Sequence, residues 1–160
     1  MTQGVGNWTF NVLPGQAGRR SEKQSTWYAM ATAAVAMIAR PYIPQGGKVY
    51  DLGCAVGNVG RVLAPTLPAR EAQFVALDGS RDVVVAYRGP GRAIVVDVAS
   101  YPYKPFDVAV AFLMLMDMPS STRPPLLCTL RSKVRPGGAI IIITTEQSTR
   151  GALAAAASRR

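Results

Sequence analysis

The sequence predicts an α/β domain, a mainly parallel five-stranded sheet with helices on both faces. Three observations lead there. Apolar runs alternate with helix-compatible segments across residues 48–145. The run at 106–115, F-D-V-A-V-A-F-L-M-L, is continuously apolar, as a strand covered on both faces must be. Three of the runs meet an aspartate near their carboxyl end: Asp51, Asp78 and Asp97.

Taken in order, residues 26–40 form an amphipathic-length helix with Ser25 as its N-cap candidate, stopped by Pro41. The nearby Arg19, Arg20 and Lys23 mimic the start of a secretory signal, but Glu22 interrupts the basic patch and the apolar span is too short to cross a bilayer. The first strand then enters V-Y-D-L-G-C-A-V-G at residues 49–57. Asp51 is delivered to a strand's carboxyl end, and Gly53, Ala55 and Gly57 leave room for a ligand to touch backbone before a helix over 58–64. A structural turn with an aspartate cap would read similarly. Residues 72–77 form the second strand, closing on Asp78-Gly79-Ser80. Asp78 lies 27 residues after Asp51, one strand-helix-strand unit on, where a ribose-binding acid belongs because its two oxygens can accept from vicinal hydroxyls. The third strand spans 92–96 before Asp97-Val98, the fourth 106–115. A helix over 120–134 leads through the turn Arg135-Pro136-Gly137-Gly138 into a fifth strand at 139–145.

The stretch D-L-G-C-A-V-G, the acids after strands two and three, F-D-V-A-V-A and R-P-G-G together resemble class I S-adenosylmethionine (SAM) dependent methyltransferases over roughly residues 48–145. The opening V-Y-D-L-G-C is similar to that of the carboxy-SAM synthase group. A dinucleotide G-x-G-x-x-G would need glycine where Ala55 stands, which disfavours a nicotinamide cofactor. The resemblance implies a Rossmann-like three-layer sandwich with strand order 3-2-1-4-5, lacking the family's usual last two strands. It implies SAM as cofactor, with Asp51, Gly53, Ala55 and Gly57 near the methionine part, Asp78 at the ribose with Gly79 and Ser80 beside it, Asp97 and Val98 at the adenine, and the Phe112 carbonyl near the amino group. It also makes Tyr28 or Trp27 of the leading helix a lid over the ligand, core packing being the other role open to each.

At 160 residues and 49% hydrophobic, the chain fits one domain: an extension and lid helix over 1–47, the core over 48–145 and a tail over 146–160. Cys54 and Cys128 give neither metal spacing nor a disulfide framework, so no metal site and a cytoplasmic setting are expected, with Cys54 a buried filler. Both flanks are basic within a net charge of +9. Two readings follow, a polyanionic partner such as RNA or DNA, and a merely solvated helix face. The missing last strands leave two expectations, a sheet edge covered by a second copy or a partner subunit, and a sequence that is a fragment of a longer protein.

Methyl transfer from a sulfonium needs alignment more than proton traffic, which suits a chain without histidine. Asp117, after the fourth strand, is the residue expected to orient or deprotonate an acceptor, with capping of the next helix as its alternative role. The acceptor itself is unidentified; neither the Asn/Asp-Pro-Pro-aromatic tetrad of exocyclic base methylation nor a Pro-Cys nucleophile is present. The rival to a methyltransferase is a non-catalytic SAM-binding subunit that lends a basic surface to a partner.

Overall fold

The continuously apolar run becomes the middle of the sheet. In the computed structural model, which describes residues 21–144, β4 (Phe106–Phe112) is buried at every position. It lies between β1 (Lys48–Leu52) and β5 (Val134–Ile143), and β2 (Gln73–Asp78) and β3 (Ala93–Val95) extend the sheet on the far side of β1. Every pair is parallel and the order is β3-β2-β1-β4-β5, as expected from the sequence. The helices are α1 (Ser21–Ala39), α2 (Asn58–Leu63), α3 (Thr66–Ala69), α4 (Arg81–Val85) and α5 (Arg123–Lys133). Among the described residues no helix is long and apolar enough to cross a membrane. The extension before residue 21, with Arg19 and Arg20, and the tail over 146–160 lie outside the described residues.

Period-two alternation along the central strands divides the core in two. Val49, Val108 and Val110 pack with Val35 and Ala39 of α1 and Val59 and Leu63 of α2. Tyr50, Leu52, Ala109 and Ala111 pack with Leu126 and Leu130 of α5. Tyr50 anchors the second face through edge-on contacts with Tyr101, Tyr103 and Phe106, at ring separations of 5.8, 5.2 and 5.5 Å. Asp51 shares the parity of Val49 and therefore belongs to the α1/α2 face.

Four expectations need correction. First, α1 already includes residues 21–24, so Ser25 lies inside the helix rather than capping it; S-E-K-Q contains no helix breaker. Second, α5 starts at Arg123 rather than 120, because Pro124 is tolerated in the first turn, where no N–H is needed. Third, β4 stops at Phe112 rather than running to 115: Leu113 takes φ +58° and Leu115–Asp117 forms a 3-10 turn. Fourth, Arg135-Pro136-Gly137-Gly138 is a bulge inside β5, not a turn before it. Val134 pairs with Phe106 and Ala139 with Val108, so four residues stand opposite Asp107 alone. Gly137 supplies φ +80°. A Cβ on Gly138 would lie 2.5 Å from the Asp107 carbonyl oxygen. The buried Asp107 carboxylate holds the bulge, accepting from Arg135 at 2.6 Å and from the Lys48 backbone N–H at 2.7 Å. The short helix α4 had no counterpart in the sequence reading, since its V-V-V is β-branched; Ser80 caps it by accepting from the Val83 N–H at 3.4 Å.

Candidate functional site

Beyond β1 the chain reverses tightly at the carboxyl rim of the sheet. The N–H groups of Gly53 and Cys54 both donate to the Leu77 carbonyl, at 2.8 and 2.9 Å, which ties the turn to the end of β2. Alternate residues are left-handed: Gly53 at φ +68°, Ala55 at +47° and Gly57 at +92°. Glycine is required twice over at 53, where a Cβ would meet the Met114 Cβ at 2.7 Å. Ala55 carries strain that glycine would not, of roughly 1–2 kcal/mol. After the larger unfolded-state entropy of glycine is subtracted, Ala55→Gly is expected to stabilise the fold by about 0.5–1 kcal/mol, read as a higher urea midpoint at unchanged slope.

The two acids of this rim are in opposite situations. Asp78 is buried and has a donor on each oxygen, the Ala55 N–H at 3.0 Å and the Ser80 N–H at 2.9 Å. Asp51 is completely buried, and neither of its oxygens has a hydrogen-bond partner among the described residues. Burial, and then the charge of Asp78, pushes its carboxyl up to about 7. Burial also pushes up the Cys54 thiol, helped by Asp51 and Asp78, so it stays a neutral filler rather than a nucleophile. The Tyr87 hydroxyl is raised by burial and then by Asp51, which places this residue against the same crevice.

Tyr87 belongs to a strap that the sequence reading passed over. In Tyr87-Arg88-Gly89-Pro90-Gly91 the tyrosine hydroxyl donates to the Pro90 carbonyl at 3.0 Å, and the Arg88 N–H donates to the Val56 carbonyl at 3.1 Å. The strap crosses the turn so closely that a Cβ on Gly57 would lie 2.4 Å from the Gly89 nitrogen. The G-P-G signal was legible as a turn. Its partner was not.

On the other side of the turn, Tyr28 of α1 accepts from the Asn58 side chain at 2.9 Å and meets Phe112 edge-on with ring centres 4.9 Å apart. Of the two lid candidates it is thus Tyr28 that reaches the rim, while Trp27 is 42% exposed. Gly79 is exposed with space for a Cβ, and Ser80 serves as the α4 cap. Asp97 lies two residues past β3, exposed, accepting from the Ala99 N–H at 2.9 Å, with Val98 buried behind it. Asp117 ends the 3-10 turn after β4, exposed; α5 has Thr122 at its N-cap position, so Asp117 does not cap it. The rim therefore carries Asp51, Gly53, Ala55 and Gly57 beside Asp78 and the end of β4 at Phe112, whereas Asp97 and Asp117 are exposed. No group of histidine, cysteine or acidic side chains suited to a metal ion occurs among the described residues.

Solved structures share this fold. A magnesium protoporphyrin IX methyltransferase from Synechocystis PCC 6803, with bound S-adenosylhomocysteine, matches with a TM-score of 0.66 at 18% identity, over 90% of this chain and 68% of the other. A SAM-bound amino pentose methyltransferase from Micromonospora echinaspora matches with a TM-score of 0.64 at 17% identity, over 80% of this chain and 58% of the other. The chain has the class I SAM-dependent methyltransferase fold. Among curated proteins, this methyltransferase-fold chain is similar to the carboxy-S-adenosyl-L-methionine synthase of Erwinia tasmaniensis, at 25% identity over 86% of its own length. It spans 60% of the length of that relative. No family model matches it.

Proposed function

We propose that this chain binds SAM at the carboxyl rim of β1 and β2 and serves as a methyltransferase. The observation that carries the reading is Asp51: a completely buried carboxyl group whose two oxygens have no partner among the described residues, beside a turn with three left-handed residues. Such a group calls for a cationic partner, and a ligand ammonium meets that need. Each oxygen of Asp78 holds one N–H and keeps a further lone pair, suited to ribose hydroxyls. Tyr28 and Phe112 offer an apolar wall, and Met114 lies over Gly53. When bound, SAM supplies an electrophilic methyl group with a neutral leaving group. The protein's share is to hold both reactants in line and keep water away, with Asp117 on the solvent side to orient an acceptor.

Calorimetric titration with SAM tests the reading. Asp78→Ala is expected to weaken binding by about 1–3 kcal/mol, roughly 5- to 150-fold. Because Asp78 also holds the Ala55 and Ser80 N–H groups, Asp78→Asn, which retains an acceptor oxygen, is compared beside it after both variants pass an unfolding assay. Release of S-adenosylhomocysteine with RNA, DNA, protein or small-molecule pools then reports turnover and acceptor class. The net charge of +9 supports trying polyanions first. The curated relatives favour a second reading, formation of a carboxylated SAM derivative, which mass spectrometry of the nucleoside products separates from methyl transfer. Binding without either product would leave a SAM-binding subunit.

A further inference from the structure

Asp51 lies beneath the turn at the end of β1 with no exposed surface, and neither oxygen has a donor among the described residues. The titratable and charged groups around it come from three directions. Asp78 ends β2, Cys54 lies in the turn, and Tyr87 leans in from the strap. None of these is a cation. The guanidinium of Arg61 on α2 lies close enough to act on Tyr87, but it is engaged by the Val56 carbonyl at 3.0 Å and by the Asn58 side chain. Of the two acids only Asp51 lacks any donor, so only Asp51 would stand as an uncompensated buried charge, which folding strongly disfavours.

We propose that ligand capture at this rim is coupled to release of a proton from Asp51, whose carboxyl is mostly neutral in the ligand-free chain below neutral pH and becomes a carboxylate there when a cationic group arrives to pair with it. The inference rests on the SAM-binding reading for the identity of the cation, an α-ammonium. The balance is simple: the O–H bond of Asp51 breaks, its proton passes to solvent, and the carboxylate pairs with an ammonium that keeps all its hydrogens. No oxidant, reductant or co-reactant takes part. Affinity consequently rises with pH until Asp51 is ionised before the ligand comes, and falls again once the ligand's own α-ammonium loses its proton above about pH 8. The crevice then discriminates against ligands without a positive group, since these give no return for the lost proton.

The test is calorimetric titration of SAM into the full chain at pH ~6.5 in two buffers of different ionisation enthalpy. The α-ammonium of the ligand is fully charged there, so it releases nothing itself. Roughly three quarters of a proton per SAM bound is expected to leave at that pH, giving way to net proton uptake at pH ~8.5, where the free ligand's α-amino group is largely neutral, and Asp51→Asn is expected to bind more weakly with no proton released at pH ~6.5. SAM binding without proton release at pH ~6.5 overturns the proposal while leaving SAM binding intact. The ligand-free titration of Asp51 is followed separately by carboxyl carbon NMR, assigned by the signal lost in Asp51→Asn. A midpoint near neutrality, in a chain that binds no SAM, supports the proton store and removes the SAM reading. A midpoint in the ordinary carboxylate range overturns the proposal whatever binds.

Discussion

Gly57→Ala is expected to destabilise the chain by about 3 kcal/mol, the sum of two effects at one atom. The backbone there lies at φ +92°, a region that costs an L-residue about 1–2 kcal/mol. The added methyl would lie 2.4 Å from the Gly89 nitrogen and 2.7 Å from its Cα. Those contacts are with backbone, not with a side chain that can swing away, so overpacking of about 1–3 kcal/mol comes on top. Denaturant unfolding measures the loss. The companion Gly79→Ala has ordinary φ and open space around it, its Cβ finding only the Val96 oxygen at 3.9 Å. It is expected to change stability by less than about 0.5 kcal/mol. Equal losses at the two positions would mean that the strap does not cross the turn.

Asp51→Asn is expected to stabilise the chain above neutrality while weakening the ligand. The folded-state value of about 7 lies above the ordinary 3.8, so protonation favours the folded state. This contribution is fully present below pH ~4, declines as the pH climbs, and is gone above about pH 7, where the buried carboxylate is an ionised group without a partner. The span corresponds to as much as about 4 kcal/mol at 1.36 kcal/mol for each pH unit. Asparagine cannot ionise, so the gain should open between pH ~4 and 7 and stay constant beyond. Urea midpoints of wild type and variant at pH ~4 and ~8 check the sign: a difference that is the same at both values would exclude a titrating Asp51. Tighter packing without function is the usual outcome when a site holds an unsatisfied group for its ligand.

Much of the fold was legible because it is written locally. The unbroken apolar run of β4, the glycine turn after β1 and the Asp at the end of β2 are each properties of a few consecutive residues, and together they carry the resemblance that implied the sheet topology. Boundaries were less legible. The S-E-K-Q lead into α1 has helix propensity but no periodic face, and the R-P-G-G stretch reads as a turn whether it precedes a strand or bulges within one. Asp107 was just another acid in F-D-V until β5 brought Arg135 to it.

The sequence by itself determined the parallel sheet and the glycine turn at its carboxyl rim, because strand period and turn chemistry are short-range, while the strand order came with the family resemblance. Only the tertiary structure decided that Asp78 is satisfied while Asp51 is not, that Tyr28 rather than Trp27 reaches the rim, and that Tyr87-Arg88-Gly89-Pro90-Gly91 closes over Gly57. Each of these depends on which distant atoms arrive within hydrogen-bond or van der Waals distance. The three aspartates look alike in the sequence, and their neighbours in space make one a tethered acceptor, one a solvated turn residue and one a buried acid without a partner among the described residues.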